Sequence, residues 1–96
     1  MKKLRKEVEF KNIDRFIRLG VAIGAIRKMK GMSQEQLAEK ANISRSHLSV
    51  IESTSTVRPF SLEVLFDIAD AFEMDIIEII EASRNLDKSN KNIKED

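Results

Sequence analysis

The sequence predicts an all-α fold, and three observations carry that prediction. The 96 residues include one Pro, three Gly and neither Trp nor Tyr. Strand-like alternation of β-branched residues is scarce, while apolar residues recur at three- and four-residue spacing. Four candidate helix starts share one signature. Each has a side-chain oxygen able to cap free backbone N–H groups, with an apolar residue just before it and another one turn into the helix.

Taken in order, Ile13, Phe16, Ile17, Gly20, Ile23, Gly24 and Arg27 mark one face of a first helix over 13–30, with cations in its last turn and Gly31 after it. Ser33 caps the second helix, 34–41, with Met32 and Leu37 as apolar flanks and Gln36 placed to close a capping box. Ser44 caps the third, 45–53, between Ile43 and Leu48. Ser61 caps the fourth, 62–72, between Phe60 and Leu65. Asp75 caps the fifth, 76–83, between Met74 and Ile79, with Glu78 completing its box. Residues 84–96, "RNLDKSNKNIKED", lack apolar periodicity and are expected to form a polar, disordered tail. Residues 1–11 are expected to be a basic arm or an extension of the first helix, leaving 12–83 as the folded domain.

The turn Asn42-Ile43-Ser44 is short enough to force a steep crossing of the second and third helices. It asks residue 42 to turn left-handed, which Asn tolerates better than any residue but Gly. Two short helices so joined form a helix-turn-helix.

Charge is distributed unevenly. Residues 1–30 carry ten Lys/Arg against three Asp/Glu, residues 31–58 three of each, and residues 59–96 four against ten. A basic end could face phosphates while the acidic end faces away. Charge blocks can equally be solvated helix faces. No cysteine is present, so there is neither a disulfide framework nor a thiolate metal site, and a reduced cytoplasmic setting fits. No apolar run approaches the ~18 residues that span a bilayer. His47 is the single histidine and lacks partners for a metal site. Paired acid and base groups for catalysis are not evident, so no enzyme activity, cofactor or metal is expected.

The stretch "IRKMKGMSQEQLAEKANISRSHLSVIE" resembles the helix-turn-helix of phage repressors, the lambda-repressor-like or Xre/Cro family. The likeness extends from Leu19 to Ile80. It rests on Gly20, Ile23 and Arg27, then Ser33-Gln34, Leu37-Ala38, Asn42, Ile43-Ser44 and Ile51-Glu52. Ser61-Leu62, Ile68-Ala69, Ala71-Phe72 and Met74 continue it. It implies a five-helix bundle that binds DNA sequence-specifically. It places Gln34 at a phosphate, and Arg45, Ser46, Ser49 and Val50 at base edges; Ser44 is expected among the DNA-binding residues, and His47 as a surface residue near the DNA backbone. It also implies a structural ion pair of Arg27 with Glu52. In two places the chain departs from the pattern. Thr54 stands where the family often has a glycine, and the loop "STSTVRP" is longer and richer in hydroxyls.

Ile76, Ile77, Ile79 and Ile80 exceed what one buried helix face needs. Ile77 and Ile80 are therefore expected at a homodimer surface, unless Leu4, Val8 and Phe10 cover them. The expected partner is double-stranded DNA with an inverted-repeat operator, bound by a small dimeric repressor or controller. The alternative is a protein-interaction module, such as an antitoxin or anti-repressor, whose third helix would expose more aromatic and aliphatic residues.

Overall fold

Five α-helices follow one another in the computed structural model, which describes the backbone of residues 8–95 and the side chains of residues 8–86. They are α1 (Ile13–Met29), α2 (Gln34–Ala41), α3 (Arg45–Glu52), α4 (Leu62–Phe72) and α5 (Ile76–Glu95). A single 3-10 turn, Phe10–Asn12, leads into α1, and the described residues contain no strand. The arm expected over 1–11 falls, for residues 1–7, outside the described residues.

Local chemistry sets the helix starts. Ser33 Oγ accepts the Gln36 N–H at 3.1 Å, and Gln36 Oε1 accepts the Ser33 N–H at 2.8 Å, a complete capping box. Ser44 and Ser61 accept the N–H groups of His47 and Val64 at 2.9 and 3.0 Å. Asp75 differs in detail. Glu78 reaches back to the Asp75 N–H at 2.9 Å, while the Asp75 carboxylate accepts from Ile77 at 3.0 Å. Behind each cap, Met32, Ile43, Phe60 and Met74 pack on the core that contains Leu37, Leu48, Leu65 and Ile79.

Three helices end in left-handed residues. Gly31 (φ 71°) follows α1, and Asn42 and Glu73 (both φ 59°) follow α2 and α4. In each case the next N–H turns back to the helix: Met32 to the Arg27 carbonyl, Ile43 to Ala38 and Met74 to Ala69. α3 ends otherwise. Ser53 is extended (φ −75°, ψ 140°), and its Oγ accepts the N–H groups of Ser55 and Thr56. The hydroxyl-rich loop therefore closes α3 without the glycine that Thr54 replaces.

The core joins Ile23 and Ile26 of α1, Leu37, Ala38 and Ala41 of α2, Leu48 and Ile51 of α3, Leu65, Ile68, Ala69 and Phe72 of α4, and Ile79 of α5. α1 packs against α3 and α5, and α2 against α3 and α4. Phe16 and Phe60 meet edge to face with ring centroids 5.2 Å apart. At Gly20 an added Cβ would overlap the Ile51 carbonyl oxygen, so α1 and α3 cross in backbone contact.

The last helix is longer than the sequence suggests. The apolar pattern predicts an end at 83 and disorder over 84–96, whereas the helix continues to Glu95. No Gly or Pro interrupts residues 76–95, and extending an existing helix needs no new nucleus. Phe10, a proposed cover for the surplus isoleucines, is 90% exposed. Ile77 and Ile80 remain 61% and 41% exposed, and Leu62 and Phe66 on α4 are 61% and 47% exposed.

Candidate nucleic-acid interface

α2, the turn at Asn42 and α3 bring the proposed reading residues to one exposed surface. Leu48 and Ile51 point α3 into the core. With that face fixed, Arg45, Ser46, His47 and Ser49 are exposed and Val50 is half-buried. Arg45 makes no side-chain hydrogen bond or ion pair among the described residues. Ser44 sits at the helix entrance, its hydroxyl oxygen engaged as a cap.

A buried polar network holds α3 in this attitude. Arg27 Nε donates to Glu52 Oε2 at 2.8 Å, and Arg27 Nη2 donates to Oε1 at 3.0 Å. The two side chains are only 10% and 9% exposed. The third donor, Nη1, reaches the Met32 carbonyl at 2.7 Å. The hydrogen bond with Glu52 holds the guanidinium above its ordinary basicity, against the opposing effect of burial and with help from the Glu52 charge. Gly24 makes room for this pair, since an added Cβ would lie 3.3 Å from Glu52 Oε1.

Gln34 is less free than a simple surface contact would be. It is half-buried, and its Nε2 donates to Glu52 Oε1 at 3.1 Å. That bond spans 18 residues of sequence and depends on how α2 crosses the end of α3. No local spacing signals it.

Residues of the loop after α3 also border this surface. A groove of about 410 Å³ runs between α3 and the segment 56–60. Ser44, Ser46, His47 and Val50 line one side, and Thr56, Arg58, Pro59 and Phe60 line the other. Arg58 is exposed and unpaired among the described residues. The cation in "STSTVRP" was visible in the sequence, but its place beside α3 depends on the path of the loop. Ile77 and Ile80 lie on α5, outside this surface. Among the described residues no group of three or more His, Cys, Asp or Glu is placed to hold a metal ion, and no helix is long and apolar enough to cross a membrane.

Comparison with solved structures finds the same arrangement. The restriction-modification controller protein C.AhdI from Aeromonas hydrophila superposes with a TM-score of 0.63 at 28% identity, covering 68% of this chain and 96% of that one. The wild-type restriction-modification controller protein C.Esp1396I gives 0.66 at 30% identity, covering 73% and 88%. The clp gene regulator ClgR from C. glutamicum gives 0.66 at 23% identity, covering 76% and 90%, a likeness of fold. No curated protein sequence matches the chain. A family model described as helix-turn-helix matches residues 23–79, more than half of the chain. With α2 and α3 joined and presented as described, the chain belongs to this helix-turn-helix family and is a DNA-binding transcriptional regulator.

Proposed function

We propose that this regulator binds an inverted-repeat operator as a homodimer and acts in the cytoplasm as a small repressor or controller of transcription. The observation that carries the reading is the outer face of α3. Arg45, Ser46 and Ser49 are exposed there beside Val50, on a helix fixed from behind by Leu48, Ile51 and the Arg27–Glu52 pair. Arg can pair with guanine O6 and N7, serine with several bases, and valine can pack on a thymine methyl. Gln34, Ser44 and His47 flank that face and suit the sugar–phosphate backbone. Arg58 and Thr56 extend the same flank across the groove.

The dimer rests on exposed apolar side chains of α4 and α5: Leu62, Phe66, Ile77 and Ile80. Likeness to the controller proteins supports the regulatory role. The face of α3 carries one aliphatic residue, half-buried, and no aromatic, which does not favour a protein-binding role for that helix.

Selection of bound sequences from a random duplex library, followed by salt titration, tests the reading. The expected site is an imperfect inverted repeat with half-site centres ~34 Å apart. Affinity should fall with salt, with a log–log slope of about 0.9 for each phosphate neutralised. Arg58→Ala should flatten that slope by about one such unit and weaken all sequences alike. Arg45→Ala should relax sequence preference at one base pair per half-site. A flat salt response with no enriched sequence would refute the proposal.

A further inference from the structure

We propose that Ser53 is a positioning residue for DNA binding, whose hydroxyl ties the loop after α3 into the shape that holds Arg58 ready for a phosphate. The proposal rests on the reading of Arg58 given above and deepens it. The loop leaves α3 at Ser53 and enters α4 at Leu62. Thr54 stands where a glycine could have turned the chain, and a serine side chain turns it instead. Ser53 Oγ accepts the N–H groups of Ser55 at 3.1 Å and of Thr56 at 3.0 Å. A hydroxyl oxygen has two lone pairs, and here both are engaged. Its hydrogen is left to donate to Ser55 Oγ, 3.3 Å away. The half-buried Ser53 hydroxyl is thus spent inside the loop and has no acceptor left to offer DNA.

The far end of the loop is fixed as well. Phe60 packs on the core and meets Phe16 of α1 edge to face, with ring centroids 5.2 Å apart. Pro59 locks its own φ and biases Arg58 toward extended backbone. Between these anchors Arg58 lies exposed on the wall of the groove opposite α3, unpaired among the described residues. Without the Ser53 hydroxyl, the N–H groups of Ser55 and Thr56 would turn to water and the loop would sample more conformers. Arg58 would then be ordered only on binding, and affinity would fall. α3 itself is held by Leu48, Ile51 and the Arg27–Glu52 pair. The loss should therefore reach the backbone contact and leave base reading alone.

The test compares the full-length parent, Ser53→Ala, Arg58→Ala and the double variant, on a selected duplex and on an unrelated one. Arg58→Ala should weaken binding about tenfold. Ser53→Ala should weaken it about fivefold in the parent, and less than about twofold once Arg58 is gone. Its factor should be the same on both duplexes, with the preferred sequence unchanged. Ser53→Thr keeps the hydroxyl and should bind within about twofold of the parent. A residue that serves structure alone would lower Tm and weaken binding by equal factors with and without Arg58. Equal factors therefore overturn the proposal. So do a Ser53→Ala protein that binds like the parent, a changed base preference, or a Ser53→Thr protein as weak as Ser53→Ala. If Ser53→Ala does not fold, Ser53→Gly removes the same hydroxyl, and the same coupling to Arg58 is expected. An Arg58→Ala protein that binds like the parent would instead remove the phosphate reading on which this rests.

Discussion

At Glu73 the backbone turns left-handed (φ 59°, ψ 43°), a conformation that costs a residue bearing a Cβ roughly 1–2 kcal/mol. The fold imposes it, because the Glu73 and Met74 N–H groups must return to the Asp70 and Ala69 carbonyls for Met74 to reach the core. Its carboxylate also sits at the negative end of α4. Glu73→Gly should therefore raise stability by about 0.5–1 kcal/mol in a urea or thermal melt. Glu73→Gln separates the charge effect from the backbone effect. A Glu73→Gly protein no more stable than Glu73→Gln would show that the backbone is not strained there. The ion pair behaves oppositely. Glu52→Ala leaves the Arg27 charge buried without its partner and should cost roughly 3 kcal/mol, whereas Arg45→Ala should leave Tm nearly unchanged. Glu52→Ala melting like the parent would remove the tie between α1 and α3. Because Arg27 is held above its ordinary basicity, its contribution is complete below that value and is lost only as pH climbs through the raised one. Mild alkali should leave it intact.

At the scale of elements, the α2–α3 turn depends on one left-handed residue. Asn42→Gly should be nearly neutral. Asn42→Val should cost about 1–2 kcal/mol and weaken DNA binding, because a strained corner tilts α3 relative to α2. Equal melting and binding for the two variants would mean that the corner tolerates any residue. The need for Asn42 was legible in the sequence, as were the caps at Ser33, Ser44 and Ser61, because each is a contact within three or four residues. Leu48 and Ile51 were legible as the inner face of α3 for the same reason. Glu73 was not, since nothing about Glu signals a left-handed turn and only the pull of Met74 toward the core demands one. The run of α5 beyond Ser83 was hidden because residues 84–95 lack the apolar stripe by which a helix is read. The bond from Gln34 to Glu52, and the place of Arg58 beside α3, depend on how elements cross. Tertiary geometry of that kind leaves no local pattern.

At the scale of the molecule, the chain separates charge as it separates tasks. The basic first third supplies α1, and the acidic last third supplies α4 and α5. A DNA duplex would attract the first and repel the second, leaving the acidic helices turned away from phosphate. On those helices lie Leu62, Phe66, Ile77 and Ile80, each with an exposed apolar side chain. A recognition helix of eight residues reads only a few base pairs, so a second copy related by a twofold axis would double the contacts and fix the half-site spacing. Burying the exposed pairs of both copies would exclude water from the centre of such an interface, while acidic neighbours would remain at its rim. Ile77→Glu and Phe66→Glu place a carboxylate where the partner's apolar surface should lie. Because both side chains are exposed in the single chain, each change should alter its stability by less than about 0.5 kcal/mol. Sedimentation equilibrium should then show the monomer mass where the parent shows twice that value, and operator affinity should fall with α3 untouched. The affinity of each variant for a single half-site should match that of the parent. A parent that sediments as a monomer at every accessible concentration, and binds an asymmetric site tightly, would sink the dimer and leave the helix-turn-helix standing.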